Sequence, residues 1–258
     1  MPESTPRLRI GSIGARSSEH IEGRRGRTQG MGNPNLQEEQ LVPPGIVQSF
    51  NIGLDLSDYT YEGVQEGFTR YWDCVDEIMK RADGKLDRIG WGGFPMSPQL
   101  GRKRCLELIE ETTQRTGVPA TCDVEGWIDC IKTLGFNRVV MASRWKDDLN
   151  RKIVNYFRDA GVEILHITSA NQMAPEAFSM SLDMGIRLAW ELSRDAVKAV
   201  PNAQCIVMPG GVWRPRGLVP MIEEVLGVMV VRDIGTWRLI HEGYIPPVKG
   251  WGKLLEMG

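Results

Sequence analysis

The chain is poor in the residues that build disulfide frameworks and metal centres. It carries 5 cysteines and 3 histidines in 258 residues. Cys74, Cys105, Cys122, Cys130 and Cys205 are odd in number and scattered, with no CxxC pair. That argues against disulfides or a cysteine zinc site and for reduced, buried thiols. His20 with Glu19 and Glu22, and the distant His166, lack the spacing that puts two ligands one helical turn apart, so no metal is expected. Charge of one sign is also lacking: 31 Lys and Arg against 33 Asp and Glu leave a net charge of -2. Nothing global favours nucleic acid or an anionic membrane as a partner. No apolar run approaches the roughly 18 residues of a membrane span. Met1 to Arg9 has no apolar core of a secretory signal, so a soluble cytoplasmic protein is expected.

What is present is an ordinary globular composition, 41% hydrophobic and 25% charged, with 29 glycines and 8 tryptophans. The length suits one large domain or two small ones. Strands are predicted at Leu8–Ile13, Ile46–Ile52, Leu86–Trp91, Val118–Cys122, Asn137–Ser143, Val162–Ile167, Gln204–Met208 and Val228–Val231. Helices are predicted from Thr60, a good cap, through Ile78, then at Gly101–Arg115, Lys146–Asp159, Ala174–Ala199, Pro215–Leu226 and Ile234–Glu242. This alternation implies parallel sheets with helical cover. Gly14–Gly45 is polar, arginine-rich and aperiodic, and reads either as a closing loop or as plain surface.

The two halves repeat one another. In IEETTQRTGVPATCDVEGW and IEEVLGVMVVRDIGTW, aspartate stands six positions after glycine (Gly117 to Asp123, Gly227 to Asp233) and a tryptophan, Trp127 or Trp237, four positions further on. Aspartate capping a helix with tryptophan packed one turn later is one explanation. Upstream, Ile89-Gly90-Trp91-Gly92-Gly93 parallels Val207-Met208-Pro209-Gly210-Gly211. The fold class is therefore α/β, with two pseudo-symmetric Rossmann-like domains and a site expected in the cleft between them. The division expected is 1–120 plus 228–258 for one domain and 121–227 for the other. The tail, Tyr244–Gly258, is expected to pack on the first half or on a neighbouring subunit in a homo-oligomer.

Ligands of open parallel sheets bind beyond the carboxyl ends of the strands. Glycine pairs there allow close backbone approach, and free N–H groups hold anions. Gly92, Gly93, Gly210 and Gly211 are thus candidate substrate contacts, although each pair also serves as a tight turn. Phe94, Trp145 and Trp213 supply apolar walls, and Arg16, Arg144 and Arg214 supply carboxylate ligands. The partner expected is a small organic acid, aromatic or unsaturated.

Several stretches in order (TYEGV, DRIGWGGFPMS, RTGVPATCDVEGWIDCIKTLGFNRVVMASRWKDDLN and AQCIVMPGGVWRPRGLVPMIEEVLGVMVV) make the chain resemble the aspartate/glutamate racemase superfamily, in its arylmalonate decarboxylase and maleate cis–trans isomerase branch. The resemblance implies two Rossmann-like domains, no cofactor or metal, and chemistry at the carbon next to a carboxylate. It also implies a cysteine after one or both pivotal strands. Those positions fall here on Gly93 (or Gly92) and on Gly210, neither a thiol. The usual hydroxyl residues become Phe94 and Pro95, and a tyrosine after the fifth strand becomes Trp145. His166 (taken to end a strand), His20 and Asp123 are the candidate acid–base groups in place of the thiols. Three functions follow: a decarboxylating lyase without the family's cysteine, an isomerase or racemase of a dicarboxylic or amino acid, or a carboxylate-binding protein without catalysis.

Overall fold

The computed structural model describes residues 8–15, 41–172, 180–210 and 216–257. The chain divides into two compact units, Met1–Glu125 and Gly126–Gly258. Each is a four-stranded, all-parallel sheet with helical cover.

In the first unit the strands are β1 (Leu8–Gly14), β2 (Val47–Gly53), β3 (Arg88–Trp91) and β4 (Ala120–Cys122), in the order β2-β1-β3-β4. Helices α1 (Tyr61–Phe68), α2 (Tyr71–Arg81), α3 (Met96–Leu100) and α4 (Arg102–Thr116) connect them. The single helix expected over 60–78 is two. Thr60 caps α1 through its side chain, as its position predicts. The helix then closes at Thr69, whose N–H (3.1 Å) and hydroxyl (2.6 Å) both return to the Glu66 carbonyl. A side chain competing for the backbone in this way ends a helix without proline. The centre of the unit is aromatic: Trp91 meets Tyr71 edge-on at 5.5 Å and Phe68 at 6.2 Å.

The second unit repeats this plan with β5 (Arg138–Trp145), β6 (Glu163–Gln172), β7 (Cys205–Val207) and β8 (Met229–Val231), in the order β6-β5-β7-β8. Its helices are α5 (Asp123–Thr133, which begins in the first unit), α6 (Asp147–Asp159), α7 (Leu182–Ala199), α8 (Val219–Leu226), α9 (Ile234–His241) and α10 (Lys253–Glu256). The inner strand β5 is buried from Val139 onward, which is why it reads as a continuous apolar run rather than an alternating one. Val140, Ala142, Ile206, Met208 and Val230 of the sheet side pack with Ala189, Ala196, Val219 and Ile222. The identical strand order gives the sequence repeat a physical basis.

The domain division departs from the expected one. Residues 228–258 belong with the second unit: β8 pairs with β7 through Ile206↔Val230, and without it the sheet would end on a buried strand. The tail follows β8, since Lys253 N–H donates to Glu223 at 2.8 Å and α10 packs on β8. Among the described residues, no helix is long and apolar enough to cross a membrane.

Candidate functional site

Both sheets end in the same kind of turn. After β3, Gly92 N–H reaches Ile13 O (2.9 Å) and Gly93 O accepts from Met96 N–H (2.8 Å). Gly93 sits at φ +120° and Gly210, three residues past β7, at φ +94°. Both angles lie in the region that favours glycine, so these corners need glycine for conformation as well as for space. In register, Trp91 faces Cys122 and Val207 faces Val231. Asp123 therefore stands one strand over from Gly92, as Asp233 does from Pro209.

The second unit's corner is the more elaborated. Arg144, at the carboxyl end of β5, is 3% exposed. Its guanidinium lies 4.1 Å over the Trp145 ring. A side chain on Gly210 would meet Arg144 Nε at 3.2 Å. Stacking uses the face of a guanidinium and hydrogen bonding its edge, so the ring does not compete for the N–H groups. β5 runs two residues further than predicted, so Arg144 and Trp145 are strand residues rather than loop residues. A buried brace fixes them: Ser143 Oγ meets Asn150 Oδ1 at 2.7 Å and accepts from Trp145 N–H at 3.1 Å, and Asn150 Nδ2 donates to Trp145 O at 2.8 Å. The Ser169 hydroxyl reaches the same carbonyl. Asn150→Ala should cost about 2 kcal/mol, because it strands buried polar groups on both sides. The expected reading is a melting midpoint lower by about 5 °C, with Ser143→Ala milder.

A second arginine at this corner escaped the sequence reading. Arg232 is 7% exposed. Its Nη1 donates to Gly210 O at 3.0 Å and to Met208 O at 3.5 Å. Its Nε lies 3.6 Å from Asp233 Oδ2. Asp233 Oδ1 also takes Arg216 Nη2 at 2.6 Å. Asp233 occupies the cap position of α9 but makes no side-chain capping bond, and its backbone is left-handed at φ 54°. Its carboxylate goes to arginines instead, which corrects the reading of Asp233 as an ordinary cap. Trp237 does pack one turn later, 3% exposed. The repeat contained a signal for Arg232: it aligns with Cys122, so one half is charged where the other is apolar.

His166 needs a correction. β6 continues past it to Gln172, so it stands fourth in a ten-residue strand, exposed on the sheet's edge, and not at the carboxyl end. β6 pairs with β5 alone, and its outer side tolerates the polar Thr168–Gln172 run, which lies beyond the strand predicted to end at Ile167. Asp123 opens α5 directly after β4. Phe94 and Trp145 are both 3% exposed. Arg16, His20, Gly211, Trp213 and Arg214, with Glu19 and Glu22, lie outside the described residues. No group of three or more His, Cys, Asp or Glu side chains among the described residues is gathered as metal ligands would be.

All five cysteines are buried. Burial pushes the Cys205 thiol up from 9.0 to about 12, and raises Cys130 and the Tyr71 phenol as well. These groups hold their protons in the folded state after the unfolded chain has lost them. Their contribution to stability is therefore complete below about pH 9 and declines as pH rises through the folded values. Melting midpoints measured every half unit from pH 8 to 11 should be flat to about 9 and then fall, reversibly.

A pair of four-stranded parallel sheets with helical cover, each followed by a positive-φ glycine corner, defines a protein of two Rossmann-like units. The particular family follows from comparison: a model described as arylmalonate decarboxylase matches residues 37–255, and the chain belongs to that family. Membership of that family makes it an enzyme. Arylmalonate decarboxylase from Bordetella bronchiseptica is 24% identical over 213 residues, 79% of this chain and 84% of that protein. A solved structure of an arylmalonate decarboxylase variant, with one glycine changed to cysteine and one cysteine to serine, in liganded form, matches with a TM-score of 0.76. It is 20% identical and the match covers 98% of this chain and 100% of that one. The maleate cis–trans isomerase of Nocardia farcinica, a cysteine-to-serine variant with a covalently bound succinylcysteine intermediate, matches with a TM-score of 0.73. It is 17% identical, over 97% and 99% of the two chains.

Proposed function

We propose that the protein is a cofactor-independent carbon–carbon lyase that decarboxylates an organic acid of the arylmalonate kind, without a thiol at the corner after β3 or β7. One observation carries this: Arg144, buried and stacked on Trp145, with its Nε 3.2 Å from where a Gly210 side chain would be. It is a carboxylate ligand set against an apolar aromatic wall, the pairing a substituted malonate requires.

The step needs only that a carbon–carbon bond break with its electron pair left behind. Neutral carbon dioxide departs, and the remaining fragment becomes an enediolate. Cations and N–H groups already in place stabilise that charge without reorganising. A proton then reaches carbon from water.

The test is a panel of substituted malonates and aromatic acids in deuterated buffer, followed for carbon dioxide and for deuterium. Loss of carbon dioxide with one deuterium in the product supports the lyase. Deuterium entering recovered acid without loss of mass selects the isomerase or racemase reading. Stabilisation by acids with neither outcome refutes both.

A further inference from the structure

β2 lies at the edge of the first unit's sheet, and its outer side is open. Leu8 N–H donates to Ile46 O at one end of the strand, and Leu54 N–H donates to Gly14 O at the other. The register between them runs unbroken from Leu8↔Val47 to Gly14↔Gly53. The even-numbered residues of β2 therefore bond to β1, and the N–H and C=O groups of Val47, Ser49 and Asn51 point outward. Those outward groups have no partner among the described residues. Further along, Cys74 Sγ reaches Gly53 O, so the open stretch is 47–51.

Sheet edges are ordinarily blunted by charge, proline or a bulge. β6, the matching edge of the second unit, carries Glu163 and His166. Its pairing with β5 also shifts register between Val139 and Val140 and again between Ser143 and Trp145. β2 has none of these devices: its sequence is VQSFNIG, and Gln48 and Ser49 are exposed. In a chain built of two like halves, one defended edge and one open edge call for a cause.

We propose that β2 is a dimer interface, where two copies of this chain pair edge to edge, antiparallel, about a two-fold axis through Ser49. A second copy is the occupant because the edge is complementary to itself. An axis perpendicular to the sheet at Ser49 sets Val47 of one protomer against Asn51 of its partner, and Ser49 against Ser49. Residues so opposed exchange both their N–H···O=C bonds, so each outward group finds one. An axis along the strands would set N–H against N–H. On the other face of the pair, Gln48 of one protomer meets Phe50 of its partner. Residues near a two-fold axis meet themselves or a near neighbour, and an uncharged strand brings no like charges together there. Arg9 stands behind on β1, 5.0 Å over the Phe50 ring and bonded to the Lys85 and Ala82 carbonyls. The product is one continuous sheet with four strands from each protomer. Its halves run in opposite directions, so each protomer keeps its own corner after β3. A single strand edge is small beside the roughly 1,200–2,000 Å² of a stable interface, so a Kd on the order of 10 µM is expected.

Sedimentation velocity on the full chain tests this across a concentration series spanning that Kd. The mass should rise from 28.9 kDa toward twice that value. Amide exchange over 47–51 should slow as the mass rises. Ser49→Lys and Ser49→Glu each set a charge against its own copy on the axis, and each should weaken association by about tenfold or more. Mixed in equal amounts, the two variants should associate at least as tightly as the parent chain, which also shows that both fold. A parent chain monomeric at every concentration overturns the proposal. So does a dimer indifferent to both charges, since it uses another surface, and so does a mixture that stays monomeric.

Discussion

Arg144→Met should lower kcat/KM for phenylmalonate by on the order of 10²–10³, about the loss seen when one preorganised donor is removed from an anionic transition state. Methionine retains an unbranched apolar stem against Trp145 and removes only the charge and the N–H groups. The melting midpoint should move by only a few degrees, because losing a buried cation also relieves its desolvation. That contrast is the useful part. A general loosening would lower activity and midpoint together, whereas a ligand contact lowers activity alone. Steady-state kinetics and a thermal melt on the same preparation decide it. Unchanged kinetics with Arg144→Met would leave the lyase reading without its principal support.

The duplicated architecture was legible because its causes are local. Each strand is a short apolar run closed by a glycine or polar turn, and each helix shows the three-and-four spacing of a buried stripe. The glycine corners were legible for the same reason: Gly93 and Gly210 both carry the positive φ that a strand-to-turn reversal imposes. The repeat then predicted two sheets of one topology, and their strand orders agree.

What stayed hidden depends on contacts far apart in sequence. Arg232 closes a run of valines and reads as a strand end. Nothing near it indicates that its Nη1 returns to the carbonyl of Gly210, 22 residues earlier. Asp233 reads as a helix cap because aspartate before a helix usually is one, and the arginine that diverts it, Arg216, lies 17 residues upstream. His166 was misplaced because an edge strand need bury only one side, so its polar continuation gives no apolar signal. The domain boundary was missed because short β8 is held by pairing to β7, and pairing leaves no mark in local composition.

Gly210→Val supplies the companion prediction, and its physics differs from that of Arg144→Met. At φ +94° a branched side chain is strained, and its Cβ would stand 3.2 Å from Arg144 Nε, so the guanidinium must move. The expected loss in kcat/KM is again on the order of 10²-fold, since a misplacement near 1 Å suffices for that. Here a stability penalty of roughly 1–3 kcal/mol should accompany it, from backbone strain and overpacking. The decisive measurement is the double variant. If valine acts by displacing the guanidinium, it has little left to displace once Arg144 is methionine, and Gly210→Val in the Arg144→Met background should cost much less than tenfold. Fully additive losses would mean that Gly210 and Arg144 act on different things, and that the corner is a turn which happens to lie beside an arginine. A coupling that recovers most of the second loss ties conformation, charge and turnover to one point in the fold.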